Sequence, residues 1–262
     1  MTYERYATVY DRSGQIRFAV LTAMYLNEIL QRHPVTGRRM LDIACGTGTL
    51  LAILAEQGWT VAGIDASAAM LRQAATKLAT VTSEGELRQG DIRHIADIMP
   101  AQTFDLVTCT YDSLNYLLSP TDLAACFRGV AHVLVPGGLF VGDMNTRHFL
   151  AVDWETCLLH EQPGYVQIER SHFEPASTIS TMWLTGFIGN DDDGYERFDE
   201  IHIERAYPPE QVAALMSDAG LVIEGCYDGF TFQSPCATTQ RIHWVARKPL
   251  CQNCSFSQPV VR

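Results

Sequence analysis

The ten residues at positions 41–50, LDIACGTGTL, constrain the fold of this chain more than any other stretch. A short apolar run ends there in Gly46 and Gly48, and an apolar segment with helical character begins directly afterwards. Glycine allows positive φ and close approach of a ligand to the backbone. The first N–H groups of the following helix then face a polar ligand. We therefore predict a strand, a ligand-binding turn and a helix.

The spacing of the two glycines argues against a dinucleotide as the ligand. The dinucleotide fingerprint GxGxxG requires a third glycine three residues after the second. Leu51 occupies that position in this chain. A nicotinamide oxidoreductase is therefore disfavoured, whereas a polar ligand at the turn is still expected.

Two acidic residues close the next two predicted strands, which cover residues 59–64 and 87–90. Asp65 follows the first and Asp91 the second. A carboxylate after the second strand can accept hydrogen bonds from both hydroxyls of a ribose, and one after the third can accept from an adenine amino group. Either acid could instead cap the helix or turn that follows it. Signals at the ends of three consecutive strands together indicate a nucleoside-containing ligand.

Strand and helix signals alternate from about residue 38 to residue 145, which predicts a parallel sheet covered by helices on both faces. Residues 149–207 show strand alternation and turn signals instead, including one long strand at 195–206. A helix at 208–219 and two strands follow. We predict an α/β fold with a Rossmann-like, doubly wound seven-stranded sheet whose last strand is antiparallel. An antiparallel β insertion after the fifth strand is expected to act as a lid.

These elements divide the chain into three parts. Residues 1–148 and 208–249 are predicted to form the ligand-binding core, and residues 149–207 the inserted lid over the substrate. Residues 250–262 are predicted to form a tail, which contains Cys251 and Cys254 and whose role the sequence leaves open.

The charge of the chain restricts its partners. The formal net charge is -11, from 19 basic and 30 acidic residues, whereas a nucleic-acid-binding protein needs clustered Lys and Arg. The sequence has neither the basic and apolar pattern of a secretory signal nor an apolar stretch of membrane-spanning length. We expect a cytoplasmic monomer or homodimer with a small-molecule partner, without nucleic acid, membrane or bound metal.

The motifs in series resemble the class I S-adenosylmethionine-dependent methyltransferases. They are DIACGTG at 42–48, GIDAS at 63–67, Gly90-Asp91, and FDLV at 104–107, in the order of that family. The resemblance covers residues 38–145. It implies that the chain binds S-adenosylmethionine, transfers its methyl group by in-line displacement and releases S-adenosylhomocysteine.

Three further segments mark a narrower resemblance: YATVYD at 6–11, DSLNYL at 112–117 and RFDE at 197–200. They are similar to bacterial small-molecule methyltransferases, including glycine, sarcosine and amino-sugar N-methyltransferases, which share an insertion after the fifth strand. This implies methylation of an amine, and less readily of a hydroxyl, on a small metabolite. The alternative is a regulatory or scaffold protein that binds S-adenosylmethionine without transferring its methyl group.

The resemblance assigns roles on the cofactor side of the site. Gly46 and Gly48 would line the methionine part of the cofactor and Asp42 would orient its amino group. Asp65 would bind the ribose diol, and Asp91 with Ile92 the adenine edge. The complete expected set is Tyr10, Asp42, Ala44, Gly46, Gly48, Asp65, Ala66, Met70, Asp91, Ile92 and Thr108.

Tyr10, Asn115 and His202 are the candidate catalytic residues. Tyr10 would cover the cofactor or pack the first helix, and Asn115 would lie at the edge of the site or cap a turn. Strand alternation places His202 on one face with Glu200 and Glu204. These three could line a pocket for a cationic substrate or bind a metal. The simplest expectation is that they form a solvated face.

Overall fold

A mixed sheet of seven strands forms the centre of the fold, and a second sheet of four strands lies beside it. The computed structural model describes residues 3–100, 103–154, 157–190 and 192–250. The strands are β1 (Arg39–Ile43), β2 (Thr60–Asp65), β3 (Glu86–Gln89), β4 (Phe104–Cys109), β5 (Leu134–Asn145), β6 (Cys157–Gln162), β7 (Tyr165–Glu174), β8 (Ile179–Asn190), β9 (Gly194–Arg205), β10 (Val222–Asp228) and β11 (Arg241–Arg247). The helices are α1 (Ile16–Arg32), α2 (Thr49–Glu56), α3 (Ala68–Leu78), α4 (Ile95–Ile98), α5 (Pro120–Val133) and α6 (Pro209–Asp218). Single turns of 3₁₀ or π helix cover Tyr6–Thr8, Asp11–Gln15, Ile92–His94, Ser113–Tyr116 and Phe149–Asp153.

The seven strands lie in the order β10-β11-β5-β4-β1-β2-β3. β11 pairs antiparallel with both of its neighbours, and the pairs among β1 to β5 are parallel. The predicted seven-stranded sheet with an antiparallel last strand is therefore confirmed. The strand order reverses between β1 and β4, and ligands bind at such switch points, beyond the carboxyl ends of the strands.

Helices bury both faces of this sheet. Alternate residues of β1 point to opposite sides, so that Leu41 belongs to one apolar cluster and Met40 to the other. The first cluster includes Phe127 of α5, and the second includes Leu51 of α2. A strand buried on both faces reads as a continuous apolar run, which explains why β1 is recognisable from sequence.

The second sheet is the antiparallel insertion expected after the fifth strand, and its strands pair in the order β6-β7-β8-β9. The long strand predicted at 195–206 corresponds to β9. The N-terminal segment packs against this sheet, because Tyr6 and Val9 share an apolar cluster with Tyr165 and Phe198. The segment therefore lies between the insertion and the core.

The expectation that one polar face of β9 is solvated was wrong. Glu200, His202 and Glu204 share a face as the alternation predicted, but they are only 7%, 1% and 1% exposed. The opposite face carries Ile201, which is 52% exposed. The polar face turns inward because its groups find hydrogen-bond partners there, among them the backbone N–H of Tyr6, which donates to Glu200.

Two smaller points concern β5 and the tail. β5 begins at Leu134, and residues 136–138 near its start lie at an irregularity in its pairing with β4. The predicted tail from residue 251 onward lies outside the described residues. Across the described part of the chain, no helix combines the length and apolar character that crossing a membrane requires.

Candidate functional site

The turn between β1 and α2 contains three residues with positive φ: Ala44 (57°), Gly46 (54°) and Gly48 (71°). A Cβ added to Gly46 would meet no atom within 4 Å, whereas a Cβ on Gly48 would lie 2.8 Å from the Cβ of Ala74 on α3. Gly46 therefore leaves space for a ligand. Gly48 allows α2 to pack against α3, and it is not among the residues that line the cavity described next.

A cavity of about 530 Å³ opens at the carboxyl ends of β1 to β4. This volume is in the usual range for small-molecule sites. Nine of the expected cofactor residues line the cavity: Tyr10, Asp42, Ala44, Gly46, Asp65, Ala66, Met70, Asp91 and Ile92. Thr108, like Gly48, is not among the lining residues.

Asp65 is the last residue of β2, and its side chain links that strand to the glycine turn after β1. Its two carboxylate oxygens accept hydrogen bonds from the backbone N–H groups of Gly46 and Ser67, each at 2.8 Å. Burial raises the pKa of Asp65, and these two hydrogen bonds partly oppose the shift. The residue that caps α3 is Ser67, whose hydroxyl accepts from the N–H of Met70. Asp65 is thus held in place at the cavity wall, where a diol could donate to it.

Asp42 is buried at the end of β1, and burial raises its pKa to about 7. The hydroxyl of Thr108 donates a 2.6 Å hydrogen bond to Asp42 Oδ1. Thr108 therefore orients the carboxylate, although it does not line the cavity itself. Asp91 lies at the opposite end of the cavity and forms a 2.6 Å ion pair with Arg93, whose hydrogen bond lowers the pKa of Asp91.

The N-terminal segment covers the cavity and is tied to its rim. Asp11 accepts hydrogen bonds from Lys77 Nζ and Thr47 Oγ1, both at 2.7 Å. Tyr3 and Tyr10 contribute to the cavity wall from the same segment. The residues on this side fit a nucleoside cofactor, because Gly46 leaves room at the turn and carboxylates flank both ends of the space.

A second, smaller cavity of about 130 Å³ adjoins the first and lies between the N-terminal segment, the loop after β4 and the insertion sheet. Aromatic residues dominate its wall, and the acidic side chains of Asp112, Glu169 and Glu204 also face it. His202 lines this cavity as well. The two cavities share Tyr3, Tyr10, Gln15, Tyr111 and Tyr116.

The junction of the cavities is built on a strained turn. Tyr111 and Asp112 follow β4 with φ of 59° and 53°, an unfavourable conformation for residues other than glycine. Asp143 on β5 stabilises the turn, because its carboxylate accepts hydrogen bonds from the backbone N–H groups of Tyr111 and Asp112, each at 2.8 Å. Arg241 on β11 forms ion pairs with Asp112 and Asp143.

The charge around the smaller cavity is unbalanced. Arg241 lies among three carboxyl groups: those of Asp143 and Glu204, which are buried, and that of Asp112, whose side chain is 13% exposed. Burial, together with the nearby Asp112, raises the pKa of Glu204 well above its usual range. A cationic ligand placed there would be favoured, since it would compensate the excess of acidic groups.

Asn115, an expected catalytic residue, lines neither cavity. Its side-chain N–H₂ donates to the backbone carbonyls of Asn145 and Arg205, at 3.0 and 2.9 Å, and its oxygen accepts from the N–H of Asn145 at 2.9 Å. These two residues are the points where the chain leaves the core sheet and returns from the insertion. Asn115 therefore clamps the base of the insertion, and both N–H donors of its amide are engaged there.

Comparison with known proteins identifies this architecture. A sequence family described as a methyltransferase domain matches residues 40–138. The chain is 30% identical over 248 residues to the YqeM protein of Bacillus subtilis (strain 168), which carries a provisional methyltransferase name, covering 95% of this chain and 98% of that protein. It is 28% identical over 200 residues, 76% of each chain, to the dTDP-3-amino-3,6-dideoxy-alpha-D-glucopyranose N,N-dimethyltransferase of Streptomyces fradiae.

Among solved structures, an S-adenosylmethionine-dependent methyltransferase from Clostridium acetobutylicum superposes with a TM-score of 0.83 and 25% identity, covering 95% of this chain and all of that one. Fold and site thus define an α/β enzyme that binds a nucleoside cofactor. The chain belongs to the S-adenosylmethionine-dependent methyltransferases, and S-adenosylmethionine is its cofactor.

Sequence reasoning missed several residues of the smaller cavity, among them Tyr3, Tyr116 and Arg241, and also Asp143, which holds the turn beside it. The partners of Asp112 and Asp143 come from β11, and Arg241 is 129 positions from Asp112. The one usable signal was the alternation of β9, which had placed Glu200, His202 and Glu204 on a common face.

Proposed function

We propose that this protein methylates an amine of a small molecule that binds in the smaller cavity. The observation that carries the proposal is the excess of acidic side chains over Arg241 in an aromatic pocket that shares part of its wall with the cofactor cavity. Carboxylates and aromatic faces both stabilise a cation. A neutral hydroxyl acceptor would gain nothing from this charge.

On the cofactor side, we assign contacts from the positions of the lining residues. Gly46 would contact the methionine part of S-adenosylmethionine, and Asp42, oriented by Thr108, would face its amino group. Asp65 and Ala66 would hold the ribose. The remaining contacts, along the adenine and over the sulfonium, would come from Met70, Asp91, Ile92, Ala44 and Tyr10.

The cofactor supplies an activated methyl group, and the protein's task is to align the acceptor with it. In-line displacement requires the nucleophile to be held at about 3 Å from the reacting carbon. Tyr10 and Tyr116 line both cavities and therefore stand beside the path between them. The insertion sheet, together with the N-terminal segment, would close over the acceptor as a lid and exclude water.

The relatives suggest which amines to examine first. The Streptomyces fradiae enzyme and its counterpart from Streptomyces venezuelae are both named as amino-sugar N,N-dimethyltransferases. The smaller cavity, at about 130 Å³, has room for the amine end of such an acceptor rather than for a whole sugar nucleotide. The remainder of the acceptor would extend outward past the insertion.

Matched pairs of acceptors test the proposal. Methyl transfer from S-adenosylmethionine would be measured on dTDP-3-amino-3,6-dideoxyglucose and glycine, each beside the analogue with a hydroxyl in place of the amine. We expect turnover of at least one amine and none of the hydroxyl analogues. Glu204→Gln should raise the KM for the amine by about tenfold or more, because a charge-assisted contact contributes about 1.5–3 kcal/mol.

Asp218→Asn is the matched control for that substitution, because Asp218 is an exposed acid at the end of α6. It should leave KM unchanged. Turnover of hydroxyl analogues alone would contradict the proposal. Tight binding of S-adenosylmethionine without turnover of any acceptor would favour the regulatory or scaffold alternative.

A further inference from the structure

A chain of polar groups runs from the junction of the cavities into the insertion sheet. The hydroxyls of Tyr3 and Tyr116 are 2.9 Å apart, and the hydroxyl of Tyr116 is 2.9 Å from His202 Nδ1. On the other side of the ring, His202 Nε2 lies 3.5 Å from Glu200 Oε2. Among the described residues, this nitrogen has no hydrogen-bond partner, so its contact with Glu200 is electrostatic. The arrangement is an aligned Tyr–His–Glu series that begins where the methyl group would be transferred.

Glu200 is held in the charged form at the inner end of this series. Burial alone would raise its pKa, but the nearby His202 and hydrogen bonds from backbone N–H groups outweigh that effect, and the pKa of Glu200 is lowered. The N–H groups of Tyr3 and Tyr6 donate to it at 2.7 and 3.1 Å. Glu200 therefore places a buried negative charge beside the imidazole. This arrangement depends on the N-terminal segment, because Tyr3 and Tyr6 supply the N–H donors.

We propose that Tyr116, His202 and Glu200 form a proton relay that deprotonates the acceptor amine before methyl transfer. This inference rests on the proposed amine acceptor. An aliphatic amine has a pKa of about 10 and is an ammonium near neutral pH. Such a group has no lone pair with which to attack the methyl carbon, so a proton must leave it first.

The proposed relay conserves atoms and charge. The ammonium gives one proton to the hydroxyl oxygen of Tyr116 while the proton of that hydroxyl passes to His202 Nδ1. The neutral amine then forms the N–C bond, and the electrons of the breaking C–S bond remain on sulfur. The imidazolium is stabilised by the carboxylate of Glu200 and returns its proton to solvent when the site opens.

Tyr116 is the residue that would touch the acceptor, and it acts as a shuttle rather than as a base in its own right. Burial, with the nearby Glu204 and Asp112, raises its pKa well above the usual value, so it keeps a proton. His202 is the proton acceptor and Glu200 a positioning residue. Among the described residues, the titratable groups facing the relay are Tyr3, Tyr6 and Tyr10 of the N-terminal segment, Tyr111 and Asp112 of the loop after β4, Glu169 of β7, Glu204 of β9 and Arg241 of β11.

The pH dependence of turnover tests the relay. We would measure kcat/KM on dTDP-3-amino-3,6-dideoxyglucose from about pH 6 to about pH 10 for the wild type, His202→Gln and Tyr116→Phe. Loss of general base catalysis costs about 100-fold or more. Each variant should show this loss near neutral pH and recover as the pH approaches the pKa of the free amine, since the amine then arrives without its proton.

His160→Gln, a change at an exposed histidine of β6, is the matched control and should follow the wild-type profile. A loss of equal size at every pH would show a merely structural role and would overturn the relay. If the wild type turns over no amine at all, the relay and the proposed function fail together. Amine turnover with parallel pH profiles overturns the relay alone.

A second measurement does not depend on turnover. The relay requires His202 Nδ1 to accept from Tyr116, so that in the neutral ring the proton is on Nε2. Nitrogen NMR of the ¹⁵N-histidine-labelled protein, with His202→Gln used to assign the signal, distinguishes the two tautomers. A proton on Nδ1 in the neutral ring would contradict the relay, and Nε2 protonation would support it.

Discussion

At the scale of single residues, the buried carboxyl of Asp42 links cofactor binding to pH. Its pKa is raised to about 7 by burial, so the group is largely protonated in the free protein below that pH. If the cationic amino group of S-adenosylmethionine lies beside it, as proposed, binding favours the ionised form. Affinity should therefore increase as the pH rises through about 7, by up to about tenfold per pH unit below the pKa.

Calorimetric titration with S-adenosylmethionine between about pH 5 and about pH 7 measures this effect, a range in which the α-amino group of the ligand stays mostly charged. Asp42→Asn provides the comparison, because the amide keeps the shape of the side chain and has no proton to lose. Its affinity should be weaker and nearly independent of pH. Equal slopes for the wild type and the variant would show that another group is responsible.

The residues on the two sides of the site differ in how far sequence could predict them. Asp42 and Asp65 lie on the neighbouring strands β1 and β2, and Gly46 lies in the turn after β1, so all three are close in sequence and stand in or just after a recognisable apolar run. The acceptor side has no such local pattern, because Asp112 meets Arg241 across 129 positions. Only the packed sheet brings these groups together.

At the scale of elements, the two glycines in the turn between β1 and α2 have different roles. Both Gly46 and Gly48 have positive φ, so alanine at either position should cost about 1–2 kcal/mol of stability. Gly48→Ala also forces a Cβ to within 2.8 Å of Ala74, which should add about 1–3 kcal/mol. Gly46→Ala places its methyl group in the cavity and should mainly weaken S-adenosylmethionine binding.

Denaturant unfolding and calorimetric titration of both variants check this contrast. Gly48→Ala should show the larger decrease in the free energy of unfolding, and Gly46→Ala the larger decrease in cofactor affinity relative to its stability. Equal changes in both quantities for the two variants would mean that the turn responds as one unit, and that the separate roles assigned to its glycines are incorrect.

β9 shows what periodicity alone cannot decide. Alternation correctly divided its residues into two faces, but hydrophobicity suggested the wrong face as the inner one, since Ile201 is exposed and Glu204 is buried. The buried face is decided by where hydrogen-bond partners are available. The side-chain amide of Asn145, for example, donates to Glu204 at 2.9 Å. Burial of polar groups is tolerated where they are hydrogen-bonded, and these partners belong to other elements.

At the scale of the whole molecule, the order of strands and helices was predictable because right-handed crossovers leave few topologies. The position of the N-terminal segment was not, since it depends on contacts with both sheets. Tyr6 packs against the insertion, and Asp11 contacts the glycine turn through Thr47. The segment thus joins core and insertion beside the cofactor cavity, and we expect that entry of the cofactor requires these contacts to open.

The ion pair between Lys77 and Asp11 is expected to regulate that opening. It is 2.7 Å long and partly exposed, so its contribution is about 0.5–1 kcal/mol. Lys77→Met removes the ion pair and keeps most of the aliphatic chain. It should increase the rate of tryptic cleavage after the exposed Arg12 by about twofold to fivefold, because cleavage requires the segment to open.

Saturating S-adenosylmethionine should slow cleavage in the wild type and in the variant. Arg72→Met, on the exposed side of the same helix, should cleave after Arg12 at the wild-type rate. Unchanged cleavage in Lys77→Met, or no protection by the cofactor, would show that the segment is not the gate of the cavity.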